Sequence, residues 1–201
     1  MDTTDITIRQ AAAQDSEPLA ELHVAAWRAA YRGIMSDDYL DGMDVARVAD
    51  GWRRNLGTPN PGTTYLVAAV AGRPVGFAAF GPAPGEDDAG TGELRAINVH
   101  PGWWGRGAGS ALFTEAERRL AGLGCARAFL WVARENRRAH LFYERHGWTN
   151  DGGVLEDTRF SPPVFEVRYS RDFPAAAPSE RQQKAPQPRG LRGFRKSGTT
   201  R

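Results

Sequence analysis

The stretch Glu93-Leu-Arg-Ala-Ile-Asn-Val-His-Pro-Gly-Trp-Trp-Gly-Arg-Gly-Ala-Gly-Ser-Ala-Leu-Phe113 decides how this chain is read. Leu94–Val99 is apolar and β-branched enough for a strand, and Pro101 breaks it. Three glycines at alternate positions, Gly105, Gly107 and Gly109, then lead into a predicted helix over Gly107–Gly122. Glycines let successive backbone N–H groups converge on an anion, and the helix N-terminus adds partial positive charge. The pattern reads as a pyrophosphate cradle, with Arg106 adding a formal charge. A Walker A loop needs Gly-Lys-Ser/Thr, and no Lys is present. A dinucleotide fingerprint ends on Gly or Ala, but the count from Gly105 ends on Ser110 and the count from Gly107 on Leu112. The competing reading is a Gly-rich turn that binds nothing.

Outward from this stretch, strands and helices alternate. Ile6–Arg9 alternates with period two and predicts an opening strand. Asp15 or Ser16 would cap the next helix, whose apolar face is Leu19, Leu22, Ala26, Trp27 and Ala30 and whose stop is Gly33. Helical stretches follow around Ser36–Leu40 and over Val45–Leu56. Thr64–Val70 and Val75–Gly81 flank Ala71-Gly72-Arg73-Pro74 as a hairpin. A polar Pro82–Gly92 connection precedes the central strand. Beyond the helix come a strand over Ala128–Val132, a helix over Asn136–Arg145 ended by Gly147, and a strand pair over Trp148–Leu155 and Val164–Tyr169. The expected fold is α/β, a mixed and mostly antiparallel sheet with helices on both faces.

The chain's 201 residues suffice for one domain with a sizeable core, and 41% hydrophobic with 25% charged residues is an ordinary globular composition. The net charge of +2 is unevenly spread. Residues 174–201 hold seven Lys/Arg and one Glu, leaving 19 basic and 23 acidic residues, a net of −4, in the rest. With four prolines and few apolar side chains, that basic tail is expected to be disordered, and the domain boundary falls at 173/174. The acidic body does not suggest a nucleic-acid binder. No apolar run is long enough to span a bilayer, and the acidic N-terminus lacks the order of a signal peptide. A single cysteine, Cys125, excludes an internal disulfide framework and a multi-cysteine metal site. A cytoplasmic location is the expectation.

Val99-His-Pro-x-x-Trp-Gly-Arg-Gly-Ala-Gly-Ser-Ala-Leu112 resembles motif A of the GCN5-related N-acetyltransferases, and Asn136-x-x-Ala139-x-x-Phe142-Tyr143-Glu-x-x-Gly147-Trp148 is similar to their motif B. The two stand in the family's order, one strand apart, and the likeness covers roughly residues 5 to 171. It departs at the first position of motif A, usually Arg or Gln, which here is Trp104. The resemblance implies acetyl-CoA bound where two parallel central strands splay apart. Its pantetheine arm would pair with backbone near Ile97 and Val99. Its pyrophosphate would meet the loop Trp104, Gly105, Arg106, Gly107, Ala108, Gly109 and Ser110, with Asn136 also in contact. Transfer would go directly from thioester to amine. Tyr143 is implied as the acid that protonates the leaving thiolate, Glu93 as a base acting directly or through water, and an N–H near Ile97 or Asn98 as the oxyanion donor.

Other groups have simpler readings. Cys125 suits a small buried residue. Asn136 would also serve as a helix N-cap. His140 and Glu144 share a helix face without a third ligand, so no metal is expected. Trp27 and Tyr31 lie one helical turn apart and suit either the core or an acceptor wall. Asp37, Asp38 and Asp41 nearby would favour a cationic acceptor, or be merely solvated. The expected function is acetyl transfer from acetyl-CoA to a primary amine of a small molecule. A protein N-terminal or lysine acetyltransferase, or a catalytically silent CoA-binding module, remain alternatives. No membrane partner is implied, and a homodimer is compatible with the sequence.

Overall fold

The computed structural model describes residues 5–58, 61–83, 85 and 90–174. The basic tail beyond Pro174 lies outside the described residues. Strands β1 (Ile6–Gln10), β2 (Thr64–Val70), β3 (Arg73–Pro82), β4 (Thr91–Val99), β5 (Arg127–Ala133), β6 (Thr149–Asp157) and β7 (Val164–Asp172) form one sheet. Its order is β1-β2-β3-β4-β5-β7-β6. Every neighbouring pair is antiparallel except β4 and β5. The helices are α1 (Ser16–Ala30), α2 (Asp37–Asp41), α3 (Val45–Gly57), α4 (Ala108–Gly122) and α5 (Arg137–Arg145). The expected mixed sheet with helices on both faces is present.

Both faces of the central strands are buried, which is why those strands are apolar without strict alternation. Leu66 and Ala68 of β2 point to one side, where they pack with Leu112, Phe113, Ala116 and Leu120 of α4. Val67 and Ala69 point to the other, against Leu19 and Leu22 of α1 and Trp52 of α3. A third cluster joins Met35 and Leu40 around α2 to Ala133 and Val164, with Trp27, Tyr31 and Phe160 packed onto it.

Some local expectations need correction. The hairpin turn is two residues, Ala71 (φ 47°) and Gly72 (φ 79°), and Arg73 and Pro74 already belong to β3. Two successive positive φ values match the right-handed twist of the flanking strands. Asp15 is the N-cap of α1 but its side chain does not cap. Its carboxylate instead accepts from Ala12 N at 2.8 Å and from both terminal nitrogens of Arg9 at 2.7 Å, tying the helix start to β1. Trp148 precedes β6 rather than opening it. It is buried, and its indole donates to Glu117 Oε1 at 2.7 Å.

One irregularity positions the site. Ala79 pairs with Ala96, while the next residue, Phe80, pairs with Leu94, so Arg95 is an extra residue in β4. Such a bulge flips the side-chain alternation. Leu94, Ile97 and Val99 all pack on the α4 side, while Ala96 packs on the α1–α3 side. Arg95 is anchored by Gly62 O at 2.6 Å, Thr63 Oγ1 at 2.8 Å and Pro82 O at 2.6 Å.

Candidate functional site

The parallel ladder between β4 and β5 has three rungs: Thr91–Arg127, Gly92–Ala128 and Glu93–Phe129. Beyond them β4 stays paired with β3 and β5 stays paired with β7. The two strands therefore part, and the opening is a cleft of about 490 Å³. Ile97, Asn98 and Val99 of β4 form one wall. Ala139, Phe142 and Tyr143 of α5 form another, and Ala26 and Ala30 of α1 close the far side.

The glycine loop forms the cleft's mouth. Gly105 (φ 73°) and Gly107 (φ 90°) take left-handed conformations that side chains adopt only with strain, and Gly107 is the N-cap of α4. Gly105, Gly107, Gly109 and Ser110 line the cleft. Hydrogen bonds to a charged group are worth about 1.5–3 kcal/mol each, against about 0.3–1 kcal/mol for a helix terminus, so backbone N–H groups would contribute more than the helix dipole to holding an anion at such a loop. Arg106 and Ala108 are not among the lining residues. The Arg106 guanidinium lies 5.1 Å from the Trp103 ring, and Ala108 is buried in the core.

Trp104 does two things at this mouth. Its Nε1 donates to Val99 O at 2.7 Å. His100 N already donates to Val75 O on β3, so the Val99 carbonyl faces the opposite way, toward the cleft. That carbonyl is thus held within the chain, which leaves the backbone at Ile97 and the Val99 N–H to an incoming strand-like ligand. The other face of the indole carries the Arg138 guanidinium, 3.3 Å from the ring centroid.

Asn136 Oδ1 accepts from Ala139 N at 3.2 Å, so Asn136 caps α5 and lines the cleft at once. Tyr143 is buried on the cleft wall, and burial together with the nearby Tyr31 phenol pushes its own phenol above the usual range. Tyr31 is pushed up to about 12 by burial and by Glu166. Tyr31 and Trp27 do not line the cleft; they stand behind it in the third cluster, ring centroids 5.0 Å apart. Glu93 does not line it either. It sits on the last parallel rung, on the face opposite Leu94, and its Oε2 accepts from Arg95 Nε at 3.1 Å. His140 is used internally, by Tyr169 Oη at 2.9 Å and Ala133 O at 3.1 Å.

Sequence reading missed several cleft residues. Ala26 and Ala30 face it from α1, and Arg138 and Arg145 from α5. The signal for Arg138 was its place two residues after Asn136, in the first turn of a helix that must face the loop. Glu166 was missed as well. It shares a strand face with Val164, close to Tyr31, and its carboxyl is raised by burial and by Asp157 against the opposing effect of Arg159.

A family model described as the Acetyltransferase (GNAT) family matches residues 16–148. The N-acetyltransferase YuaI of Bacillus subtilis (strain 168) is 31% identical over 142 residues, covering 70% of this chain and 79% of that one. The spermidine N(1)-acetyltransferase of Thermoplasma acidophilum is 25% identical over 167 residues, 82% of this chain and 98% of that one. Among solved structures, the PaiA N-acetyltransferase of Thermoplasma acidophilum in complex with coenzyme A has the same fold, with a TM-score of 0.66 at 23% identity, covering 84% of this chain and 99% of that chain. Among the described residues, no helix is long and apolar enough to cross a membrane.

Proposed function

The chain belongs to the GNAT acetyltransferase family and is an acetyl-CoA-dependent N-acetyltransferase, and from that premise we propose that its acceptor is the primary amine of a small molecule. Acetyl-CoA supplies an activated acetyl group as a thioester. The cleft suits it: the strands part, a loop of convergent N–H groups stands at the mouth, and the backbone near Ile97 offers the edge that a pantetheine arm would pair with. These features support Ile97, Val99, Gly105, Gly107, Gly109, Ser110 and Asn136 as cofactor-binding residues.

Within this reading, Tyr143 is the acid. Its raised phenol keeps its proton through the neutral range, and it is there to give that proton to a departing thiolate. Glu93 serves as a base through water, from the side of the sheet opposite α4. The Ile97 N–H is a donor for the charge that develops on the acyl oxygen. The acceptor enters from the side of Trp27 and Tyr31, where Glu166 offers a half-buried carboxyl to an ammonium group.

The single observation that carries the acceptor class is that Tyr31 is within electrostatic reach of both the Glu166 carboxyl and the cleft-wall Tyr143. The spermidine acetyltransferase relative supports the same class. A panel of small amines, diamines and lysine-containing peptides, followed by CoA thiol release, tests it. Small cationic amines should turn over. Turnover of peptides alone would move the acceptor to proteins, and cofactor binding with no turnover on any amine would make the chain a silent binding module.

A further inference from the structure

Among the described residues most arginines end on carboxylates, as Arg9 does on Asp15, Arg32 on Asp37 and Asp41, Arg118 on Glu115 and Arg171 on Glu117. Among the described residues two cleft-lining arginines, Arg138 and Arg145, have no carboxylate or carbonyl partner. Of the two, only Arg138 lies over an aromatic ring, its guanidinium carbon 3.3 Å from the centroid of the Trp104 ring. Stacking on an aromatic face fixes the plane of a guanidinium and leaves its in-plane N–H donors free, the arrangement that grips a phosphate with two parallel bonds. The platform itself is rigid, because Trp104 is tied to Val99 O at 2.7 Å. The neighbouring residue of that platform is Gly105, first of the glycines in the anion cradle.

We propose that Arg138 supplies the formal positive charge for the pyrophosphate of the cofactor, presented by Trp104. The loop's own arginine does not fill that place, since Arg106 is turned onto Trp103. Burial lowers the Arg138 guanidinium from its ordinary value, as expected for a cation partly out of water with no anion beside it. Arg145 lies two turns further along α5, about 10 Å away along the helix axis, too far to share one diphosphate group held at Gly105–Ser110. The indole at position 104, where the related motif carries Arg or Gln, therefore acts as a shelf for a cation delivered from the other motif.

The test is calorimetric binding of CoA, of dephospho-CoA and of phosphate-free pantetheine to the full chain and its variants. Arg138→Gln should weaken CoA and dephospho-CoA alike by about tenfold, the scale of one charged hydrogen bond, and leave pantetheine unchanged. Trp104→Phe keeps the stacking face and should hold CoA affinity within about threefold, while Trp104→Ala should lose several-fold. Arg138 belongs to none of the core clusters, so Arg138→Gln should unfold at the same temperature as the parent. Undiminished affinity in folded Arg138→Gln overturns the proposal. A loss confined to CoA, sparing dephospho-CoA, moves the arginine to the 3′-phosphate and overturns it too. An equal loss for pantetheine makes Arg138 a support of the cleft wall and no phosphate ligand.

Discussion

Glu93 and Phe129 form the last rung of the parallel ladder, and the candidate cleft opens beyond that rung. The reason lies on both sides. The extra residue Arg95 shifts the β3–β4 register two positions after Glu93, and β5 remains fully paired to β7 from Arg127 to Ala133. A strand that bulges cannot keep register with a parallel neighbour that does not. Among the described residues no strand pairs with the backbone at Ile97 on the cleft side, which suits it to a ligand that pairs like a strand.

The loop geometry makes Gly109 a sharp probe. A Cβ built there would meet Phe142 Cε2 at 3.4 Å and Val99 Cγ2 at 3.6 Å, ordinary contacts. Gly109→Ala should therefore fold and still bind acetyl-CoA. Gly109→Glu should also fold, but it places a carboxylate beside the phosphate site. Two like charges about 4 Å apart near a protein surface repel by about 4 kcal/mol, so CoA affinity should drop by at least about 100-fold by calorimetry. Undiminished binding in folded Gly109→Glu would refute the phosphate cradle.

Tyr143→Phe keeps the ring and removes the proton. Turnover should fall by about 100-fold, the usual scale of general acid catalysis, with CoA affinity within about twofold. Because the wild-type phenol is raised by burial and by Tyr31, its loss of the proton should not limit the rate on the alkaline side at physiological pH. Stopped-flow release of CoA thiol gives both numbers. A variant as fast as the parent would reduce Tyr143 to packing.

Much of this site was legible in sequence. Gly105 and Gly107 take positive φ, the second of them as the N-cap of α4, and Asn136 caps its helix by local chemistry alone. What escaped depends on neighbours distant in the chain. Nothing in Glu93-Leu-Arg-Ala marks Arg95 as a bulge, because its anchors are Gly62, Thr63 and Pro82. Arg138 meets Trp104 across 34 residues, and Glu166 acts electrostatically on Tyr31 across 135, separations at which periodicity carries no signal. His23 likewise has its ring partners, Trp27, Trp52 and Phe77, largely set by the tertiary fold.

That histidine should write itself into the pH dependence of stability. Its ring lies 5.2 Å from Trp27, 5.4 Å from Phe77 and 6.2 Å from Trp52, with Nδ1 buried and unpartnered. Burial lowers it from 6.5 to about 4. Between those values the unfolded chain binds a proton that the folded chain refuses, so stability falls as pH drops from about 6.5 toward 4. The loss from this group is on the order of 2–3 kcal/mol. Urea titrations at pH 7 and 4.5 should show His23→Phe losing less stability than the parent. Parallel losses in the two proteins would assign the acid sensitivity elsewhere.

The C-terminal boundary can be located to a single residue. Phe173 N donates to Ala126 O at 2.7 Å, and its ring packs against the main core cluster. A chain ending at Pro174 keeps both. It should retain acetyl transfer within about twofold and the parent's unfolding temperature, as surface changes away from a site do. A chain ending at Asp172 loses one hydrogen bond and a partly buried ring, together about 1–2 kcal/mol. For a domain of this size that is about 3–6 °C in Tm, with kcat on a small amine little changed below the transition. Differential scanning of the two truncations beside the full chain separates the cases. A collapse of activity in the chain ending at Pro174 would mean that residues 175–201 contribute to the cleft, and the domain would then have to be extended into them.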